Sequence, residues 1–313
     1  MSSPPFTKPR RLVPGMTIGV VAPSSPLRDP RLAEGIRRLE AASYTVVEGA
    51  HLHDGHAYLA GPDAARANDL TTMFADPAVD AVFCARGGYG ACRMVELVDW
   101  EVVRAHPKVF VGYSDITTLH LAFERRAHLA TFHGPMVVTL GGDLSADALD
   151  CFWRAVGGAE PLGALPAAGA PLRTLVGGTA RGRLAGGCLA LLGAALGTCD
   201  APDFAGRLVL IEDVGEALYR VDRLIVQLLR SGAFHDAAGF VIGNATGWDS
   251  DMQGPPAMRI EDLWRDLIAP LGKPAIHGFP FGHEPNPLTL PLGCMAELDA
   301  DAQTLTVLEP AVR

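Results

Sequence analysis

Four short runs in this chain of 313 residues combine reactive side chains with turn-forming ones. The first is Gly112-Tyr113-Ser114-Asp115, which follows the apolar run from Val109 and precedes a helical pattern from Ile116 to Phe123. A serine on such a strand-to-helix turn projects its hydroxyl out of the sheet, and the next amide points toward the same spot, an arrangement suited to acyl transfer through an oxyanion. By themselves these four residues also fit a plain helix N-cap, at Ser114 or Asp115. The second run, Arg86-Gly87-Gly88-Tyr89-Gly90, brings bare backbone close to a ligand and offers amides to an anion. It lacks the Lys-Ser/Thr of a phosphate loop and the spacing of a dinucleotide fingerprint, so it implies no nucleotide. In the third, Leu210-Ile211-Glu212-Asp213, an apolar strand ends on acids, and Glu212 stands where a buried carboxylate can orient a histidine. The alternative is acidic decoration of a helix N-terminus, which suits Asp213 and Glu216 better. The fourth, Gly282-His283-Glu284 after Phe279-Pro280-Phe281, holds a candidate base.

Other histidines carry weaker signals. His51, His53 and His56 crowd one polar loop without a matching cysteine or acidic set, which reads as solvated surface and predicts no metal. His120 reads as helix surface or packing, and His133-Gly134-Pro135 as a turn. The six cysteines form no Cys-x-x-Cys pair and read as reduced packing residues rather than a disulfide frame or zinc site.

Parallel α/β architecture is what these runs require, and the first half supplies the pattern for it. Met16 to Ala22, Thr45 to Glu48, Val79 to Ala85 and Val109 to Gly112 read as strands, alternating with helical patterns over Arg31 to Ala42 and Asp63 to Phe74. In such sheets ligands gather at the carboxyl ends of the strands, where Arg86 and Ser114 follow. Gly, Ala and Pro dominate between about 157 and 187, so residues 1–160 are expected as an N-terminal α/β domain, 161–180 as a linker and 181–313 as a second domain. In the second domain, Arg207 to Glu212 and Gly239 to Gly243 read as strands, and Leu218 to Leu229 and Arg259 to Ala269 as helices. A net charge of −9 argues against nucleic acid. With neither a membrane-length apolar run nor a signal-peptide pattern, the expected compartment is the cytoplasm.

Taken in order, RGGYG, GYSD, HGPM, IEDVGE with YRVDRLIVQLL, FGHE and LPLG resemble the LD-carboxypeptidase family of serine peptidases, from about residue 16 to 293. The resemblance implies a triad of Ser114, Glu212 and His283, with an oxyanion hole from the backbone amides of Gly88 and Asp115. It also implies an N-terminal parallel-sheet domain like that of class I glutamine amidotransferases, a smaller β-rich C-terminal domain with a cleft between them, and a homodimer. The expected substrate is a murein tetrapeptide losing its terminal D-alanine in cell-wall recycling, with no cofactor. Arg86, at its strand end, is expected to help position the substrate carboxylate. Two positions depart from the family pattern: Cys188 stands where Asn is usual, and Ala217-Leu218 where Pro is common. Both bear on substrate preference. The alternatives are a microcin-immunity-type peptidase acting on peptidyl or aminoacyl nucleotides, and a non-catalytic muropeptide-binding protein. An α/β-hydrolase would want glycine where Ile116 stands.

Overall fold

The computed structural model describes residues 6–166, 172–246 and 258–313. The first half contributes strands β1 (Thr17–Val21), β2 (Thr45–Glu48), β3 (Ala81–Cys84), β4 (Val109–Gly112) and β5 (Thr131–His133). The remainder contributes β6 (Gly163–Ala164), β7 (Arg173–Val176), β8 (Thr179–Cys188), β9 (Arg207–Val214), β10 (Gly239–Thr246), β11 (Ala275–Phe279), β12 (Leu290–Leu292), β13 (Met295–Asp299) and β14 (Thr304–Val307).

Strands β1 to β5 are parallel, in the order β2-β1-β3-β4-β5. Every residue of β3, β4 and β5 is buried. Their continuous apolar character follows from cover on both faces: Ala81 and Phe83 enter one core, Val82 and Cys84 another. Strand order reverses between β1 and β3, and the loops that leave their carboxyl ends, Pro23-Ser24-Ser25 and Arg86-Gly87-Gly88, are joined there: the Ser25 amide donates to the Gly87 carbonyl at 3.4 Å and the Tyr89 amide to Ser25 Oγ at 3.1 Å. The serine turn follows β4, next to β3.

A second sheet runs β6-β14-β13-β8-β9-β10-β11-β7. Its centre, β8 to β11, is parallel, and helices Leu189–Ala194 and Leu218–Arg230 make two of the crossovers. The second half is thus itself built from βαβ units, flanked by antiparallel strands. One apolar cluster joins the sheets, holding Phe83 and Val111 of the first beside Leu208 and Val241 of the second.

Two features differ from the sequence reading. Residues 161–180, expected as a linker, carry β6 and β7, edge strands of the second sheet; residues 167–171 lie outside the described residues. Edges tolerate the Gly and Pro that obscured them, because only one side must pair. Strand β12, within the expected second domain, pairs antiparallel with β5 and completes the first sheet. No described helix is long and apolar enough to cross a membrane.

Candidate active site

Ser114 adopts φ +66° at the start of a 3₁₀ turn, Ser114–Ile116, that leads into helix Thr117–Ala122. An N-cap residue has extended backbone, so this left-handed conformation separates a nucleophile elbow from a cap. Holding a non-glycine residue there costs about 1–3 kcal/mol, which the surrounding contacts must offset. Asp115 does not cap its own helix either. Its buried carboxylate accepts the Ser24 hydroxyl at 2.6 Å and the Ala91 amide at 2.8 Å, binding the loops after β1 and β3 to the serine turn. A side chain on Gly87 would put its Cβ 3.0 Å from Ser114 Cβ and 3.2 Å from Ser114 Oγ, so the glycine lets bare backbone lie against the hydroxyl. Buried Arg66 donates to the carbonyls of Pro23 and Gly90, holding the same two loops from the other side.

Buried Glu212 meets His283, which keeps part of its ring exposed. Glu212, 1% exposed near the end of β9, accepts at Oε2 both the backbone amide of His283, at 3.1 Å, and its Nδ1–H, at 2.7 Å. Gly282 makes this possible: at φ +78° it suits glycine, and a Cβ there would overlap Glu212 Oε2. Burial alone would raise the Glu212 pKa, but His133 and His283 outweigh it and hold the carboxyl down to about 2. Burial pushes the His283 imidazole down, and Glu212 more than reverses this, leaving its pKa above the ordinary 6.5. The Tyr113 ring, just before Ser114, stands edge-on to the His283 ring with centroids 5.1 Å apart. His283, Glu212 and the serine turn are therefore neighbours, with Tyr113 between Ser114 and the His283 ring. A cavity of about 330 Å³ adjoins them, lined by Arg31, Tyr113, Thr139 and Glu284 among others.

Sequence reasoning missed His133. Expected as a turn, it ends β5, pairs with Gly112 and Leu290 across the sheet, and is 1% exposed. Its Nε2 faces Glu212 Oε1 at 3.6 Å. The run Ala130-Thr131-Phe132 before it, short and apolar, was the available strand signal. His120 is a packing residue with a positioning duty: its Nε2–H donates to the Gly112 carbonyl at 2.8 Å and its Nδ1 accepts from Thr131 Oγ1 at 2.9 Å. Burial pushes its pKa down to about 3.

Gly88 lies exposed in its loop at φ +118°. Arg86 is half-buried, its guanidinium donating to the Gly87 carbonyl at 3.2 Å and the Pro26 carbonyl at 3.4 Å. At Cys188 the two sheets are tied, since its amide donates to Thr117 Oγ1 at 3.0 Å. Asp213 accepts the Ala190 and Val214 amides at 2.8 Å, and burial pushes its pKa up to about 6. His51 pairs with Asp69 and His53 with Glu48, each at 2.8 Å, while His56 is exposed. Glu96, Cys199 and Asp200 stand close enough to share a cation, but Arg126 already donates to all three.

Comparison with known proteins identifies the family. Residues 18–134 match the LD-carboxypeptidase N-terminal domain and residues 181–298 the LD-carboxypeptidase C-terminal domain. A putative carboxypeptidase of Streptomyces coelicolor is 46% identical over 312 residues, covering 98% of each chain. A probable murein peptide carboxypeptidase of Bacillus subtilis is 37% identical, covering 97% of this chain and 95% of its own. The solved muramoyltetrapeptide carboxypeptidase of Oxalobacter formigenes superposes with a TM-score of 0.80 at 27% identity, over 93% of this chain and 98% of that one.

Proposed function

Since the chain belongs to the LD-carboxypeptidase family of peptidases, we propose that it is a serine carboxypeptidase releasing the terminal D-alanine of peptidoglycan-derived tetrapeptides. The observation that carries this is the Glu212–His283 pair, 2.7 Å between Oε2 and Nδ1, packed on Tyr113 beside a serine held at φ +66°.

In this mechanism His283 Nε2 takes the Ser114 proton as Oγ attacks the scissile carbonyl carbon. The carbonyl oxygen becomes an oxyanion held by the Gly88 and Asp115 amides. Collapse breaks the C–N bond, His283 returns the proton to the leaving amine, and D-alanine departs from an acyl-enzyme on Ser114. Water then attacks that ester, gives its proton to His283, and frees the shortened peptide and the serine. Throughout, Glu212 keeps Nδ1 protonated and stabilises the transient imidazolium. Arg86, with guanidinium N–H groups beyond those facing Gly87 and Pro26, is suited to the carboxylate of the incoming peptide.

Support for this substrate class comes from the named activities of the relatives and from a chain match that is nearly complete. The test is incubation with a murein tetrapeptide and mass-spectrometric detection of free D-alanine, beside Ser114→Ala and beside an aminoacyl-nucleotide substrate. Release by the native chain and loss of at least about 10³-fold in the variant, with unchanged circular dichroism, are expected. Unchanged turnover in Ser114→Ala would overturn the nucleophile, and preferred cleavage of the aminoacyl nucleotide would overturn the substrate class.

A further inference from the structure

Glu212 Oε1 and His133 Nε2 are buried and face one another at 3.6 Å, near enough for His133 to help hold the carboxyl down but short of a full hydrogen bond, and no other hydrogen-bond partner reaches either atom. A buried unsatisfied polar atom costs about 1–3 kcal/mol, so two of them aimed at each other are a contact waiting to form. The gap exceeds a hydrogen bond by roughly half an ångström. Catalytic contacts are often this long in a ligand-free enzyme and tighten when substrate engages.

The contact also crosses the molecule. His133 ends β5, in register with Gly112 of β4 two residues before Ser114, whereas Glu212 belongs to β9 of the second sheet. The separation of these two side chains is thus one of the contacts, with the shared core and the Tyr113–His283 ring contact, that relate the Glu212–His283 pair to the serine turn. The rings around His133 are Phe281 at 5.5 Å, Tyr113 at 6.0 Å and His120 at 6.2 Å, and His120 is already bonded to Gly112 and Thr131.

We propose that His133 is a positioning residue whose Nε2–H closes on Glu212 Oε1 as substrate engages, locking the acid of the second sheet to the strand beside the nucleophile. This rests on the triad proposed above. Oε2 continues to serve His283, and Glu212 is held ionised by a full hydrogen-bond donor on each oxygen.

The sign of the effect on pH dependence follows. The working pair has Glu212 ionised and His283 neutral, one proton fewer than its resting acid form. Glu212 is ionised in both forms and the proton sits on His283; the His133 N–H draws on the carboxylate, so its removal leaves more of the carboxylate's field to the imidazolium and raises the pH at which His283 gives up its proton. Asp213, Cys188, Tyr113 and His120 also face this region, but they are common to all variants and cancel in the comparison.

Steady-state kinetics of D-alanine release against pH test the proposal with His133→Leu, His133→Gln and His133→Asn. In His133→Leu, kcat should fall about 10- to 100-fold with little change in KM, and the acid limb of kcat/KM should move up by about one pH unit. His133→Gln, whose amide N–H reaches as far as Nε2, should return the limb to its native position; His133→Asn, one carbon shorter, should not. An equal loss in Leu and Gln with an unmoved limb reveals a packing role only and overturns the proposal, as does native behaviour in Leu. If Leu fails to fold, equal limbs in Gln and Asn overturn it in the same way. Ser114→Ala in parallel keeps the two ideas apart: an active Ser114→Ala sinks the triad, whereas an inactive one with unmoved His133 limbs sinks only this proposal.

Discussion

Replacing Glu212 with glutamine removes a charge and keeps a shape, which isolates what the carboxylate does for His283. In the native site Oε2 accepts two N–H groups of His283, at 3.1 and 2.7 Å. The glutamine oxygen can accept both, but as a neutral group. Hydrogen bonds to a charged partner are worth about 1.5–3 kcal/mol and neutral ones about 1, so two such bonds lose on the order of 1–4 kcal/mol. The imidazolium formed in the transition state also loses its counter-charge. We expect kcat for D-alanine release to fall about 10²–10⁴-fold with KM nearly constant. The pH profile reads the same change separately. Glu212 is what chiefly lifts the His283 pKa above 6.5 against burial, so in Glu212→Gln burial opposes only the weaker pull of Asp213 and the acid limb should move to lower pH. Stability responds as well. A carboxyl depressed to about 2 stabilises the fold above its ordinary 4.5, and that contribution is lost as pH falls between the two values. Glu212→Gln, which never has it, should lose less stability than the native chain between about pH 5 and pH 3. Activity within tenfold of native and an unmoved acid limb would refute the orienting role of Glu212.

Gly282→Ala forces a methyl into Glu212 Oε2 and strains a left-handed position by about 1–2 kcal/mol; kcat should fall at least tenfold while KM changes little, and native kinetics would contradict the close approach. Ser114→Gly abolishes the nucleophile but relieves its φ of +66°, so the inactive variant should melt a few degrees above the native chain in calorimetry, by about 1 kcal/mol. Arg86→Ala should raise KM for the tetrapeptide about tenfold and leave Tm nearly unchanged, because its bonds to Gly87 and Pro26 are long; unaltered KM and kcat would remove Arg86 from substrate binding.

Local pattern carried much of the site's scaffolding. β-branched and apolar runs marked β1, β3 and β4, and spacing marked the helix Leu218–Arg230, expected over Leu218 to Leu229. Glu212 was legible as an acid ending an apolar strand. What local pattern could not supply was partnership over distance. Asp115 looked like a helix cap because its true partners, Ser24 and Ala91, lie 91 and 24 residues away. His133 looked like a turn because it precedes Gly-Pro; its strand character comes from pairing with β4 on one side and β12 on the other. The resemblance to a family, not periodicity, drew Ser114, Glu212 and His283 together as a set. The edge strands β6 and β7 were hidden for a different reason: two- and four-residue strands in Gly/Ala/Pro-rich sequence carry almost no periodic signal.

The return of β12 to the first sheet bears on when this enzyme can first act. Chains are synthesised from the N-terminus, and domains ordinarily fold as they emerge. Here the sheet that displays Ser114 keeps an open edge at β5 until residues 290–292 arrive. His283, the proposed base, emerges only shortly before. A nascent chain therefore carries Ser114 for more than 150 residues with neither a finished sheet nor its proposed base beside it, and on the mechanism proposed above peptidase activity can begin only after residues 290–292 have emerged.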